Sequence, residues 1–135
     1  MVKGERMDSD FSFRNLLVYQ QAKDLVVHVY QLVKQFPKEE HYALCDQLRR
    51  AVISIPSNIA EGMGRTSKKE QLYFMEIAYG SLCETICQLE IAYELHYITE
   101  EQLNQTNAQL TSIAKMLSGL KRKRTPNLSP LTPSP

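Results

Sequence analysis

Residues 72–93 read LYFMEIAYGSLCETICQLEIAY, and their pattern decides the fold. Leu72, Met75, Tyr79, Leu82, Ile86, Leu89 and Tyr93 recur at alternating spacings of three and four. On an α-helix that spacing lines large side chains along one side. Ser67 followed by Glu70 has the form of a capping box, which starts this helix. It runs to near Leu95, roughly 28 residues or about 42 Å. Gly80 and Ser81 lie mid-helix, where they lower helix propensity, so another helix is expected to cross closely there.

Three further apolar stripes flank this one. The first helix carries Val18, Ala22, Leu25, Val29, Leu32 and Phe36, with Asn15 as its expected cap and Pro37 as its stop. The second is expected from near Lys38, with Glu39 and Glu40 facing the positive end of its dipole. Its stripe is Leu44, Leu48, Val52, Ile55 and Ile59, with Ala51 beside Val52. Pro56 falls inside it and predicts a kink near Val52. Gly62 reads as its C-terminal stop. After the long third helix, His96–Ile98 is a tight connection. Thr99 followed by Gln102 forms a second capping box, and the fourth stripe is Leu103, Thr106, Leu110, Ile113, Leu117 and Leu120. Short links force successive helices antiparallel. The fold class is therefore all-α, an antiparallel up-down-up-down four-helix bundle.

The expected organisation is an N-terminal extension at 1–14, the bundle at 15–121, and a tail at 122–135 that is basic and then Pro/Ser-rich. Phe11 and Phe13 are available to dock on the bundle. Pro126, Pro130, Pro133 and Pro135 belong to the tail, which reads as disordered. The 135 residues suit one domain, and 43% hydrophobic content is enough for one compact core. Net charge is +1, so the molecule as a whole exerts no strong field. Met1–Asp10 lacks the apolar core of a secretory signal, and no apolar run approaches a membrane span. No membrane partner is expected, and the expected location is cytoplasmic.

Little in the chain points to catalysis. Glycine-rich phosphate loops, HExxH and nucleophile elbows do not occur. His28, His41 and His96 are far apart, and the Glu-x-x-His pairs of a metal-binding bundle are missing. No catalytic residue, metal or cofactor is expected. An enzyme would have to draw on Arg49, Glu61 and Glu84. Cys45, Cys83 and Cys87 form no disulfide framework and read as buried, reduced thiols.

Two groups of polar residues stand out. Ser54, Asn58 and Glu61 share a face of the second helix, and Ser81, Glu84 and Gln88 share one of the third. With Arg49 opposite Glu84, they predict a hydrogen-bonded network that fixes helix register or subunit contacts. The other group is basic. Lys121, Arg122, Lys123 and Arg124 form a block with Lys115 upstream, and Arg65, Lys68 and Lys69 surround the turn between helices two and three. Up-down topology brings both sets to one bundle end as a phosphate-binding surface. Tyr19, Tyr30, Tyr73, Phe74 and Tyr97 lie mostly off the stripes and read either as half-buried core residues or as a second apolar face for subunit contact.

LVYQQA at 17–22, QLRRA at 47–51, SIPSNIAEG at 54–62, GRTS at 64–67 and AYGSLCE at 78–84 resemble the bacterial four-helix bundle family, also called ribosomal RNA intervening-sequence proteins. The similarity covers about residues 13–120, and its signature SIPxNIAEGxGR is specific. Tyr19 stands where the family usually has tryptophan. The resemblance implies a homopentamer. It also implies kinship with the accessory variability determinant of diversity-generating retroelements, a pentameric barrel that binds nucleic acid and a reverse transcriptase. Two functions follow as expectations. One is an oligomeric protein that holds RNA or DNA, structured RNA first, by phosphate contacts, with a reverse transcriptase as a further partner. The other is a structural or protein-interaction scaffold without nucleic-acid binding.

Overall fold

The structure is a computed structural model that describes residues 11–126. Four helices follow one another: α1 Leu17–Val33, α2 Leu44–Met63, α3 Lys68–Glu94 and α4 Glu100–Arg124. Short 3-10 turns at Ser12–Asn15 and Lys38–Glu40 precede α1 and α2. There is no strand among the described residues, and no helix among them is long and apolar enough to cross a membrane. The expected extension before Phe11 and the tail from Asn127 lie outside the described residues.

Each helix packs on its neighbours in sequence, and α4 closes back on α1. Cross-helix contacts show the relative register. Between α1 and α4, Gln35 meets Gln102, His28 meets Gln109 and Gln21 meets Ser112. Between α2 and α3, Gln47 meets Gln88, Ser54 meets Ser81 and Gly62 meets Phe74. Residue numbers rise along one helix as they fall along the other. The α1 stripe is buried throughout, as are Leu48, Val52, Ile55 and Ile59 of α2.

The buried face of α3 is rotated from the expected stripe. Met75, Leu82 and Leu89 are buried, but Leu72, Tyr79, Ile86 and Tyr93 are half-buried at its edge. The rest of the buried face consists of smaller or polar side chains: Ala78, Ser81, Thr85, Gln88 and Ala92. Thr85 bonds the Ser81 carbonyl at 2.8 Å, so its hydroxyl is satisfied within its own helix.

The helix ends correct several expectations. Asn15 does not cap α1; it closes the 3-10 turn, and Leu16 precedes the helix with no side-chain cap bond. Before Pro37, α1 tightens into a turn in which the amides of Lys34, Gln35 and Phe36 bond carbonyls three residues back. Helix α2 begins at Leu44 rather than near Lys38. The Glu40 carboxylate caps it from outside, accepting from the Leu44 amide at 3.3 Å and from the Tyr97 hydroxyl at 2.8 Å. Pro56 is buried inside α2, and the helix continues through it. At the start of α3, Ser67 Oγ accepts from the Glu70 amide at 3.1 Å. Thr99 and Gln102 make the full reciprocal box.

The connection after α3 is a Schellman motif. His96 takes the left-handed conformation at φ 65°, its amide bonds the Tyr93 carbonyl, and the Tyr97 amide bonds the Ala92 carbonyl. Phe13 stacks edge-on against Tyr19 at 5.0 Å, which docks the entry turn on α1.

The glycines depart from their expected roles. Gly62 is not the stop: α2 runs to Met63, and the Gly64 amide closes it onto the Ala60 and Glu61 carbonyls. A Cβ on Gly62 would lie 3.0 Å from Phe74 Cβ and 3.2 Å from the Gln71 carbonyl oxygen. Gly62 is therefore a point of close approach between α2 and α3. Of the pair expected at a crossing, Gly80 faces open space, while Ser81 makes the contact, its Oγ 2.7 Å from Ser54 Oγ on α2. Gly62→Ala should lower unfolding free energy by about 1–3 kcal/mol through overpacking. Gly80→Ala should raise it by up to about 1 kcal/mol through helix propensity. Urea denaturation of the two variants measures both.

Candidate nucleic-acid interface

The turn after α2 carries Arg65, and the first turn of α3 carries Lys68 and Lys69. Cations in a first turn oppose the helix dipole, so α3 gains nothing intrinsic from these lysines. At the end of α4, Lys121, Arg122, Lys123 and Arg124 fall in the last helical turn, where the dipole favours them. The helix reaches Arg124, so the basic block is helical.

The fold brings these two sets together. Lys68, Lys69 and Leu72 of α3 share one concave surface with Lys123, Arg124, Thr125 and Pro126, enclosing about 700 Å³. Arg124 holds the surface in place. Its Nε donates to Gln71 Oε1 at 2.9 Å, its Nη1 to the Leu120 carbonyl at 2.9 Å, and its Nη2 to Met63 Sδ at 3.5 Å. Gln71 in turn donates to the Arg65 carbonyl at 2.7 Å. One chain of bonds thus joins the end of α2, the start of α3 and the end of α4.

The expected binding residues therefore divide by their present engagements. Arg124 is a half-buried clamp. Arg65 pairs with Glu61 at 2.5 Å and lies over the Phe74 ring at 4.9 Å. Lys121 lies over Tyr79 at 4.5 Å. Lys68, Lys69, Lys115, Arg122 and Lys123 are exposed, and among the described residues no carboxylate pairs with them. Lys115 and Arg122 border a separate groove of about 400 Å³ between α3 and α4, together with Tyr79, Cys83 and Ser118.

A family model described as 23S rRNA-intervening sequence protein matches residues 14–119. The chain belongs to that family. It is also similar to a solved structure from Bacteroides thetaiotaomicron VPI-5482, a protein of unknown function from the S23 ribosomal protein family. The two are 25% identical, with a TM-score of 0.71 over 78% of this chain and 99% of that one. No curated protein matches the chain.

In this family member the expected polar network forms only in part. Ser81 Oγ donates to Ser54 Oγ at 2.7 Å, and Asn58 Nδ2 donates to the same Ser54 oxygen at 2.9 Å. Gln88 reaches Gln47 at 3.5 Å, and its buried Oε1 finds no partner. Arg49 does not meet Glu84; its guanidinium donates to the His41 carbonyl at 3.0 Å, and Glu84 is exposed. Glu61 points out to Arg65. The two acidic members thus face water, which spares them the cost of burial. The thiols also differ from expectation: Cys45 is buried, whereas Cys83 and Cys87 are exposed. Burial pushes the Cys45 thiol above its ordinary value, against the opposing pull of Arg49.

Gln71 and Met63 were not among the expected site residues. The only signal for Gln71 is its place one turn beyond the Ser67 cap, beside the basic turn. Gln71→Ala and Arg124→Ala should each destabilise the fold. Their double-mutant cycle should show a coupling of about 0.5–3 kcal/mol, because each removes the other's partner.

Proposed function

We propose that this protein is a non-catalytic, oligomeric up-down-up-down bundle that holds structured RNA by phosphate contacts at the basic end. The observation that carries this reading is the convergence of Lys68, Lys69 and Lys123 on one surface with no carboxylate partner among the described residues. These residues come from opposite ends of the second half of the chain. Such a cluster repels itself unless an anion occupies it. Exposed lysines contact phosphate as point charges and carry no base code, so recognition is of shape and charge. Membership in a family described by a 23S rRNA-intervening sequence supports RNA as the polyanion.

The molecule's net charge of +1 makes a single copy a weak binder. The homopentamer implied by the sequence resemblance would supply avidity by presenting five such ends to one RNA. The same resemblance makes a reverse transcriptase the protein partner to test by co-purification.

Affinity for a structured ribosomal RNA fragment should fall steeply with salt, log K declining linearly with log salt. Lys68→Gln, Lys69→Gln and Lys123→Gln should each flatten that slope by somewhat less than one unit. Arg50→Gln, near the start of α2 at the other end of the bundle and already paired with Asp46, should leave it unchanged. A salt-independent affinity, or slopes unmoved by the three substitutions, contradicts phosphate contact and favours a protein-binding scaffold.

A further inference from the structure

A second cationic concavity lies where α1 turns into α2, and the RNA reading does not use it. It encloses about 370 Å³ and is bordered by Lys34, Lys38, His41 and Arg49. Its apolar wall comes from Tyr30, Phe36 and Pro37, with the buried Cys45 also lining it. The α2 helix separates it from the basic end: Cys45 and Arg49 are near its start, and Met63, which Arg124 grips, is its last residue. Fourteen residues of helix, about 21 Å, separate Arg49 from Met63.

The carboxylates nearby are already engaged or turned away. Glu40 accepts from Tyr97 and from the Leu44 amide. Asp46 pairs with Arg50 at 2.6 Å. Glu39 is exposed and does not line the concavity. Lys34, Lys38 and Arg49 therefore have no acidic partner among the described residues. The Arg49 guanidinium is held by its bond to the His41 carbonyl and keeps further N–H donors free. Phe36 is fixed against Tyr97 at 5.3 Å, so the apolar wall is preformed.

Cations facing an apolar, partly aromatic wall in a cavity of this size suit a small ligand with two chemically distinct ends. We propose that this concavity binds a phosphate monoester of an aromatic or nucleoside alcohol, with the phosphate toward Lys38 and Arg49 and the ring against Phe36 and Pro37. Arg49 offers the forked donors that match phosphate oxygens, and the wall adds apolar contact that inorganic phosphate cannot use. Such a ligand has two sources, a free mononucleotide or the terminal nucleotide of an RNA, and both present the same chemistry.

Phenyl phosphate, titrated calorimetrically into the full chain, is the direct probe. It should bind at least tenfold more tightly than inorganic phosphate. Lys38→Gln and Arg49→Gln should each weaken it at least tenfold, whereas Lys68→Gln and Lys69→Gln should not change it. Lys38 is exposed, so its variant keeps the test valid even if Arg49→Gln unfolds. Equal binding of phenyl phosphate and inorganic phosphate, or binding indifferent to Lys38→Gln, overturns the proposal. So does loss of RNA affinity in Lys38→Gln from a parent that binds no phenyl phosphate, which would make this a polymer contact. Competition by a nucleoside monophosphate, against competition only by an RNA bearing a terminal phosphate, separates the two sources. Because Lys68 and Lys69 serve the other end of the bundle, failure of the RNA reading leaves this prediction standing, and the reverse also holds.

Discussion

The close approach of α2 to α3 is the constraint on which the rest of the structure depends. It is the most extensive helix–helix contact among the described residues. Small side chains make it possible at two points: Gly62 of α2 lies against Phe74 and Gln71, and Ser54 of α2 meets Ser81. Where backbones approach this closely, dispersion contacts multiply and any added atom must displace a neighbour. The hydroxyl pair Ser54–Ser81 sits within the same seam and sets its register. A slip along the seam would break that bond and drive Gly62's neighbours into a bulkier residue.

The seam also places the chemistry. By fixing the end of α2 against the start of α3, it sets Met63 and Gln71 as two walls for the Arg124 guanidinium. The last turn of α4 is thereby held over the first turn of α3. That geometry gathers Lys68, Lys69 and Lys123 without any bond between them. The opposite end is held by different means. Glu40 ties the α1–α2 connection to Tyr97, and Gln35 ties the end of α1 to Gln102. The cationic surfaces at the two ends are thus built by separate sets of contacts.

Large-residue periodicity made the four helices and most of the core legible in the sequence. The α1 stripe from Val18 to Phe36 is buried as expected, and so is the α2 stripe from Leu48 to Ile59. The error on α3 has a definite cause. Periodicity weights large side chains, but at a close approach the small ones occupy the centre and the large ones flank it. That is why Leu72, Tyr79, Ile86 and Tyr93 sit at the edge. Gly62 was read as a stop for the same reason, and the crossing expected at Gly80 and Ser81 is made by Ser81 alone: a glycine's spacing does not reveal which face it lies on relative to a neighbour. For the basic end, helix order correctly brought distant cations together. It could not distinguish Arg124 and Arg65, which the fold engages internally, from the exposed lysines. The concavity around Lys38 and Arg49 left no trace in spacing because its members come from a helix end, a turn and a second helix.

Native-state hydrogen exchange tests the central claim most directly. If the α2–α3 seam organises the fold, amides of Val52, Ile55, Ile59, Leu82, Thr85 and Leu89 should exchange only through global unfolding, with protection equal to the full stability. Amides of α1 should exchange earlier, through partial opening. Highest protection in α1 and α4, with α2 and α3 parting in a sub-global opening, would contradict it.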